Sequence, residues 1–248
     1  MDGVQGRELA KFKHISEPHL RRMTANDTRP PAMFIAGDPG LDFLNSIGTP
    51  ADTVVEWLAN GEDLLAWLEQ AELVPAQAAA TIRANCFPGE LDAVAAQARA
   101  LREWFRAFVL VHRGHSLGPD AVHELKPLNR MLERDDAYGA IVTRPVDATG
   151  QATASALEWR TLRRWRTPDS LLLPIAHAIA NFVTSEDLSR VKACEKSPCT
   201  LFFLDRTRGQ ARRWCSMSLC GNRAKQALHR SRLKRRKRPL RRDRKAKA

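Results

Sequence analysis

The sequence predicts a mainly helical α+β protein. A helical N-terminal domain with a small β-hairpin precedes a C-terminal module made of a second hairpin and a helix. Three observations carry this reading. Residues 90–112 and 172–183 repeat apolar side chains at spacings of three and four, the period of a helix with one buried face. Residues 138–143 and 156–162 alternate instead, the period of a strand. Four of the five cysteines stand as two Cys-x4-Cys pairs, Cys194/Cys199 and Cys215/Cys220, with fifteen residues between them.

The elements follow in order. Residues 1–32 mix charges with little periodicity and read as a loose extension. Leu41-Asp42-Phe43-Leu44-Asn45-Ser46 opens the first helix, with Asp42 and Asn45 three apart on one face. These two are candidate ligand-binding residues, although such a pair more often caps a helix or ties down a loop. Val54 to Leu58 is a short apolar segment broken by Asn60-Gly61. Glu62-Asp63 opens a helix whose core face is Leu64, Leu65 and Leu68, with Trp67 beside it. Pro75 suits the first turn of a helix reaching Ala84. The longest helix spans Glu90 to about His112, with Val94, Ala98, Leu101, Phe105 and Phe108 as its stripe.

A helix from Leu117-Gly118-Pro119 to about Glu133 is bent or shortened by Pro127. Two strands, Tyr138 to Thr143 and Ala156 to Leu162, join through Gly150, and the hairpin is expected to pack on helices. In it Leu157, Trp159 and Thr161 alternate with Glu158 and Arg160. Pro168-Asp169-Ser170 opens a helix with the stripe Leu172, Ile175, Ala176, Ile179, Phe182 and Val183. Burying such a stripe contributes about 1.5–3 kcal/mol per large side chain before entropy. His177 lies just off it, as a surface residue would. Thr184 to Asp187 ends the domain.

In the C-terminal module each cysteine pair closes a short loop, so four thiolates can converge on one point, as a tetrahedral Zn²⁺ requires. The alternatives are two disulfides or free thiols in a core. The odd Cys86 and the absence of an apolar leader favour a reducing, cytoplasmic setting, where clustered cysteines bind metal. Thr200 to Leu204 reads as a strand, Arg206 to Gln210 as a turn, and Ala211 to Trp214 as the returning strand. A helix then runs from Arg223 to about Lys237, with Cys220 at its start.

The run Cys-x4-Cys-x-Leu-Phe-Phe-x-Asp followed by Arg-Arg-Trp-Cys-Ser-Met-x-x-Cys-Gly-Asn-Arg-Ala-Lys, over 194–225, resembles the CGNR zinc finger. Leu-Asp-Phe-x-Asn-Ser at 41–46 resembles the start of the ABATE domain that usually precedes that finger. The family is described as bacterial stress-responsive transcription regulators. The resemblance implies one structural Zn²⁺ on Cys194, Cys199, Cys215 and Cys220, and DNA binding by the finger. It divides the chain into an ABATE-like domain over 33–184, a finger over 188–230 and a basic arm over 231–248.

Charge agrees. Residues 190–248 carry 21 Lys/Arg against three acids, a net +18, whereas residues 1–189 carry 19 against 25, a net −6. A basic tail on an acidic body suits a polyanion. Arg212, Arg213, Arg223, Lys225, Arg230 and Arg232 are the candidate nucleic-acid contacts, and Arg213 or Arg223 could instead brace the finger. DNA is the expected partner. Structured RNA is the runner-up, and an adaptor with a purely structural finger is the third reading. Only Trp214 offers stacking area in the basic region, which disfavours a single-strand reader. No P-loop, G-x-S-x-G or H-E-x-x-H is present, and four thiolates leave zinc no open position, so catalysis is not expected. No run is long and apolar enough for a membrane span. Cys86 reads as a structural thiol rather than a redox sensor.

Overall fold

The computed structural model describes residues 29–49, 52–144 and 156–237, and the side chains of the last stretch as far as 233. The described residues from 32 onward belong to one compact unit, which is the subject below. The extension expected over 1–32 and the arm over 231–248 fall largely outside the described residues, as does the Gly150 turn.

The body is helical, as expected. Its helices are α1 (Pro39–Leu44), α2 (Gly61–Gln70), α3 (Ala76–Asn85), α4 (Glu90–His112), α5 (Lys126–Leu132) and α6 (Leu172–Ser185). Asp38 caps α1 through Gly40 N–H, and Asn60 caps α2 through Asp63 N–H, both by side-chain oxygens. The stripes of α4 and α6 meet in the core, where Phe105 and Phe182 cross edge to face at 5.8 Å. Pro127 lies in the first turn of α5, so the helix expected over 117–133 is divided. A 3₁₀ turn (Pro119–His123) precedes the short α5.

One buried cation is held inside this body. Arg102 on α4 is 2% exposed and reaches Glu56 with two bonds of 2.8 and 2.6 Å, Glu103 at 3.0 Å and Ser46 Oγ at 3.0 Å. Glu56 belongs to a two-residue strand, β2 (Val55–Glu56), paired antiparallel with β1 (Ile47–Gly48). The ion pair therefore pins the small ribbon after α1 to the central helix.

Two expectations are corrected. The first concerns the hairpin of β3 (Ala137–Thr143) and β4 (Leu157–Arg163), which forms with Ile141 opposite Trp159. Its apolar set does not face the helices: Ile141 is 70%, Leu157 53% and Trp159 71% exposed. On the other face Ala140, Val142, Glu158 and Leu162 are half-buried. The Trp159 ring lies over Gly139, where an added Cβ would fall 2.0 Å from it.

The second concerns the C-terminal hairpin. β6 (Phe202–Leu204) pairs with β5 (Val191–Ala193), ahead of the first cysteine, and not with residues 211–214. That return segment forms no strand because side chains take its donors. Ala211 N–H goes to Thr207 Oγ1 at 3.1 Å and Arg212 N–H to Asp205 Oδ2 at 3.0 Å. The last helix, α7 (Asn222–Lys237), follows as expected, after a π-type turn at Met217–Gly221. No helix of the described residues is long and apolar enough to cross a membrane.

Candidate metal centre

The four cysteines come from two loops. Cys199 N–H bonds Lys196 O at 2.7 Å, closing the first loop. In the second, Cys220 and Gly221 N–H both reach Ser216 O at 3.0 Å. Gly221 packs closely there: a Cβ would lie 2.6 Å from Met217 Sδ and 3.3 Å from Trp214, so the flexible Met217 side chain would have to shift to admit one. Glu195 clasps the loops together, its N–H on Arg213 O at 3.0 Å and its carboxylate on Arg213 Nε at 2.6 Å.

The thiols of Cys194, Cys199, Cys215 and Cys220 all lie within 4.8 Å of one another. Cys199–Cys215 and Cys215–Cys220 Sγ separations are 3.8 and 3.5 Å. A tetrahedron with Zn–S of about 2.3 Å has an edge of roughly 3.8 Å, so the donor set fits one Zn²⁺ by number, type and spacing. Charge argues the same way. Contact with Cys215 holds the Cys199 thiol down to about 5. The same contact, with burial, pushes Cys215 far up, and burial pushes Cys220 up to about 12. Sulfurs this close resist collecting negative charge, and a dication reverses that, since a coordinating thiol is deprotonated outright. Cys194, Cys215 and Cys220 share a small apolar core with Leu201 and Phe203, and four ligands close the site.

A buried carboxylate and a half-buried guanidinium brace this centre, and sequence reasoning missed how. Asp205 is fully buried and accepts from Lys192 Nζ at 2.8 Å, Thr207 N–H at 3.0 Å, Thr207 Oγ1 at 2.6 Å and Arg212 N–H at 3.0 Å. Burial pushes its carboxyl up, but Lys192 and the Thr207 and Arg212 donors overcome this and hold it well below the usual carboxylate range. Arg212 folds inward with its guanidinium 4.3 Å over the Phe203 ring. It donates to the carbonyls of Trp214 (3.0 Å), Leu204 (3.4 Å), Ile35 (3.3 Å) and Cys215. Arg212 is thus an internal brace, a role sequence reasoning had offered to Arg213 or Arg223, while Arg213 is both exposed and paired with Glu195. Arg223, Lys225, Arg230 and Arg232 are exposed along α7.

Asp42 and Asn45 are used inside the protein. Asn45 is 2% exposed, and its amide group donates to Phe202 O and accepts from Phe202 N–H, both at 2.8 Å. Asp42 is 8% exposed and accepts from Ala36 N–H at 2.9 Å. Ala36 O in turn accepts from Leu204 N–H at 2.9 Å. Both side chains therefore join α1 to β6 of the finger, the tying role named above as the commoner one. Cys86 is half-buried, with its Sγ 3.4 Å from Arg83 O.

A helical body carrying a closed four-cysteine centre and a basic terminal helix is the plan of a zinc-finger regulator. The family profile of ABATE, described as "Putative stress-induced transcription regulator", matches residues 37–186, and that of the CGNR zinc finger matches residues 190–233. The first covers more than half of the chain, and the chain belongs to the ABATE family, with a CGNR zinc finger that holds one structural Zn²⁺. None of the curated proteins matches it significantly.

Proposed function

We propose that this protein is a zinc-dependent, DNA-binding transcription regulator, with the finger over 188–230 as its DNA-binding half. The helical half over 33–184 senses a ligand or mediates assembly. The observation that carries the reading is the junction of Cys220 with α7. The last ligand sits in the turn that leads directly into a sixteen-residue helix with eight Lys or Arg and no acid. Zinc held there fixes the direction of a cationic rod about 24 Å long.

Arg213, Arg223, Lys225, Arg230 and Arg232 are the phosphate-facing set, while Arg212 leaves it because its donors are spent on carbonyls. Phosphate contacts of this kind position a protein on the duplex, and base edges must supply any sequence preference. Any signal from the helical half reaches the finger through the α1–β6 seam at Asn45 and Phe202, rather than through residues 184–193 alone.

The test is to recover nucleic acid crosslinked to the full-length protein in cells and sequence it as DNA and as RNA, beside Cys215→Ser. A DNA set with a shared motif that the variant loses is the expected result. An RNA-dominated set would overturn the assignment of DNA, and an unchanged, motif-free set would make the finger structural only.

A further inference from the structure

A second constellation lies away from the cysteines. A cavity of about 430 Å³ opens where the start of α1, the end of α2, α6 and the end of β4 meet. It is within the size range of small-molecule sites, roughly 300–1,000 Å³. Its polar lining is Arg163 and His177, which share Asp135 as a partner, together with Asp38, Glu72 and Asn181. Pro39, Leu73, Pro174 and Ala178 complete an apolar lining.

Arg163 and His177 are held in place from behind. Asp135, whose side chain is 8% exposed, takes Arg163 Nε and Nη2 at 2.6 Å each and His177 Nε2 at 2.6 Å. Arg163 Nη1 and His177 Nδ1 remain uncommitted among the described residues. Anchoring of the β3–β4 hairpin to α6 accounts for the Asp135 bonds, but not for the other groups. Glu72 and the Asn181 amide bond no described side chain, and Asp38 uses its carboxylate on backbone N–H groups alone. Burial pushes the Asp38 carboxyl up, and the nearby charges of Glu186 and Arg206 oppose one another there. A cation in the cavity would relieve that cost.

We infer that this cavity binds an α-amino acid, its carboxylate on Arg163 and His177, its ammonium on Asp38 and Glu72, and its side chain over the apolar lining. The lining offers partners for both charges of such a ligand: the remaining donors of Arg163 and His177 for its carboxylate, and the carboxylates of Asp38 and Glu72 for its ammonium. The site also has a route to the finger. Asp38 caps α1, whose C-terminal neighbour Asn45 grips Phe202, and Gly37 O next to Asp38 accepts from Arg206 of the finger at 2.8 Å. Binding rests on the cavity; its use as the sensing site rests on the regulator reading above.

The test is calorimetry on the full-length, zinc-loaded protein with each of the twenty common L-amino acids, beside their N-acetyl and methyl-ester forms. At least one free amino acid is expected to bind saturably, one per chain, with both blocked forms weaker by about tenfold or more. Asp38→Asn with Glu72→Gln, which keeps the α1 cap, and His177→Ala should each weaken it comparably. No saturable binding by any of the twenty at millimolar concentration would overturn the inference. So would binding that these variants leave unchanged. Binding that follows the prediction without altering DNA affinity would strike the sensing role and leave the site standing.

Discussion

Asn45 shows how much a single side chain carries here. Its amide closes both hydrogen-bonding groups of Phe202, a residue only 5% exposed. Asn45→Ala leaves a buried donor and a buried acceptor unpaired, so it should cost about 2–4 kcal/mol in urea unfolding. Asp42 gives a pH signature. Burial, with the Asp38 charge adding to it, pushes its carboxyl up to about 7 against the Ala36 and Ile35 N–H groups. The folded state therefore holds a proton that the unfolded chain releases near pH 4. This contribution is complete at acid pH, falls as pH rises from about 4 to about 7, and amounts to about 4 kcal/mol. Asp42→Asn should remove that fall. The difference between the two proteins, measured from pH 4.5 to 7.5, isolates it from zinc binding and from Asp205, which titrates well below. At this scale the four cysteines were fully legible, because ligand spacing survives folding as a count along the chain. Arg212 was not: in sequence it is one more arginine beside Arg213, and only the Phe203 ring and four carbonyls distinguish it.

Among the elements, α4 and α6 could be read directly, since a period near 3.6 on a long segment leaves one face to bury. The β3–β4 hairpin could be read in part. A period of two separates two faces without saying which one meets the body, and here the apolar face looks outward. This makes a paired prediction. Phe182→Ala on α6, at 0% exposure, should cost about 3–5 kcal/mol, whereas Trp159→Ala should cost less than about 1 kcal/mol in the same urea titration. A large loss at Trp159 would mean that its face is covered in solution. The pairing of β6 was hidden for another reason. Residues 191–193 and 211–214 lie at similar distances along the chain from 202–204. The choice falls on side chains: Thr207 and Asp205 take the donors of the later segment and leave the earlier one to pair.

At the scale of the molecule, the β5–β6 part of the finger shares the core of the body. Leu188, Val191, Phe202 and Leu204 pack in the same cluster as α1, α4 and α6, and the Asn45, Ala36 and Arg206 bonds cross the same seam. Zinc should therefore stabilise more than its own loops. Removal of the metal with a chelator is expected to lower stability by about 4 kcal/mol or more. Helical circular dichroism and the fluorescence of the buried Trp57 and Trp67 should shift together. Loss of the finger with the helical signal unchanged would show two independent units.

The most direct measurement of the central claim is the salt dependence of DNA binding by zinc-loaded full-length protein, by fluorescence anisotropy, beside Cys215→Ser and Arg230→Ala/Arg232→Ala. The account predicts that the double variant lowers the log–log slope by about 2, near 0.9 per phosphate contact, with zinc content unchanged. It predicts also that Cys215→Ser loses discrimination between specific and random duplexes. Equal slopes and equal affinities in all three proteins would contradict it, since α7 and the metal that aims it would then take no part in binding.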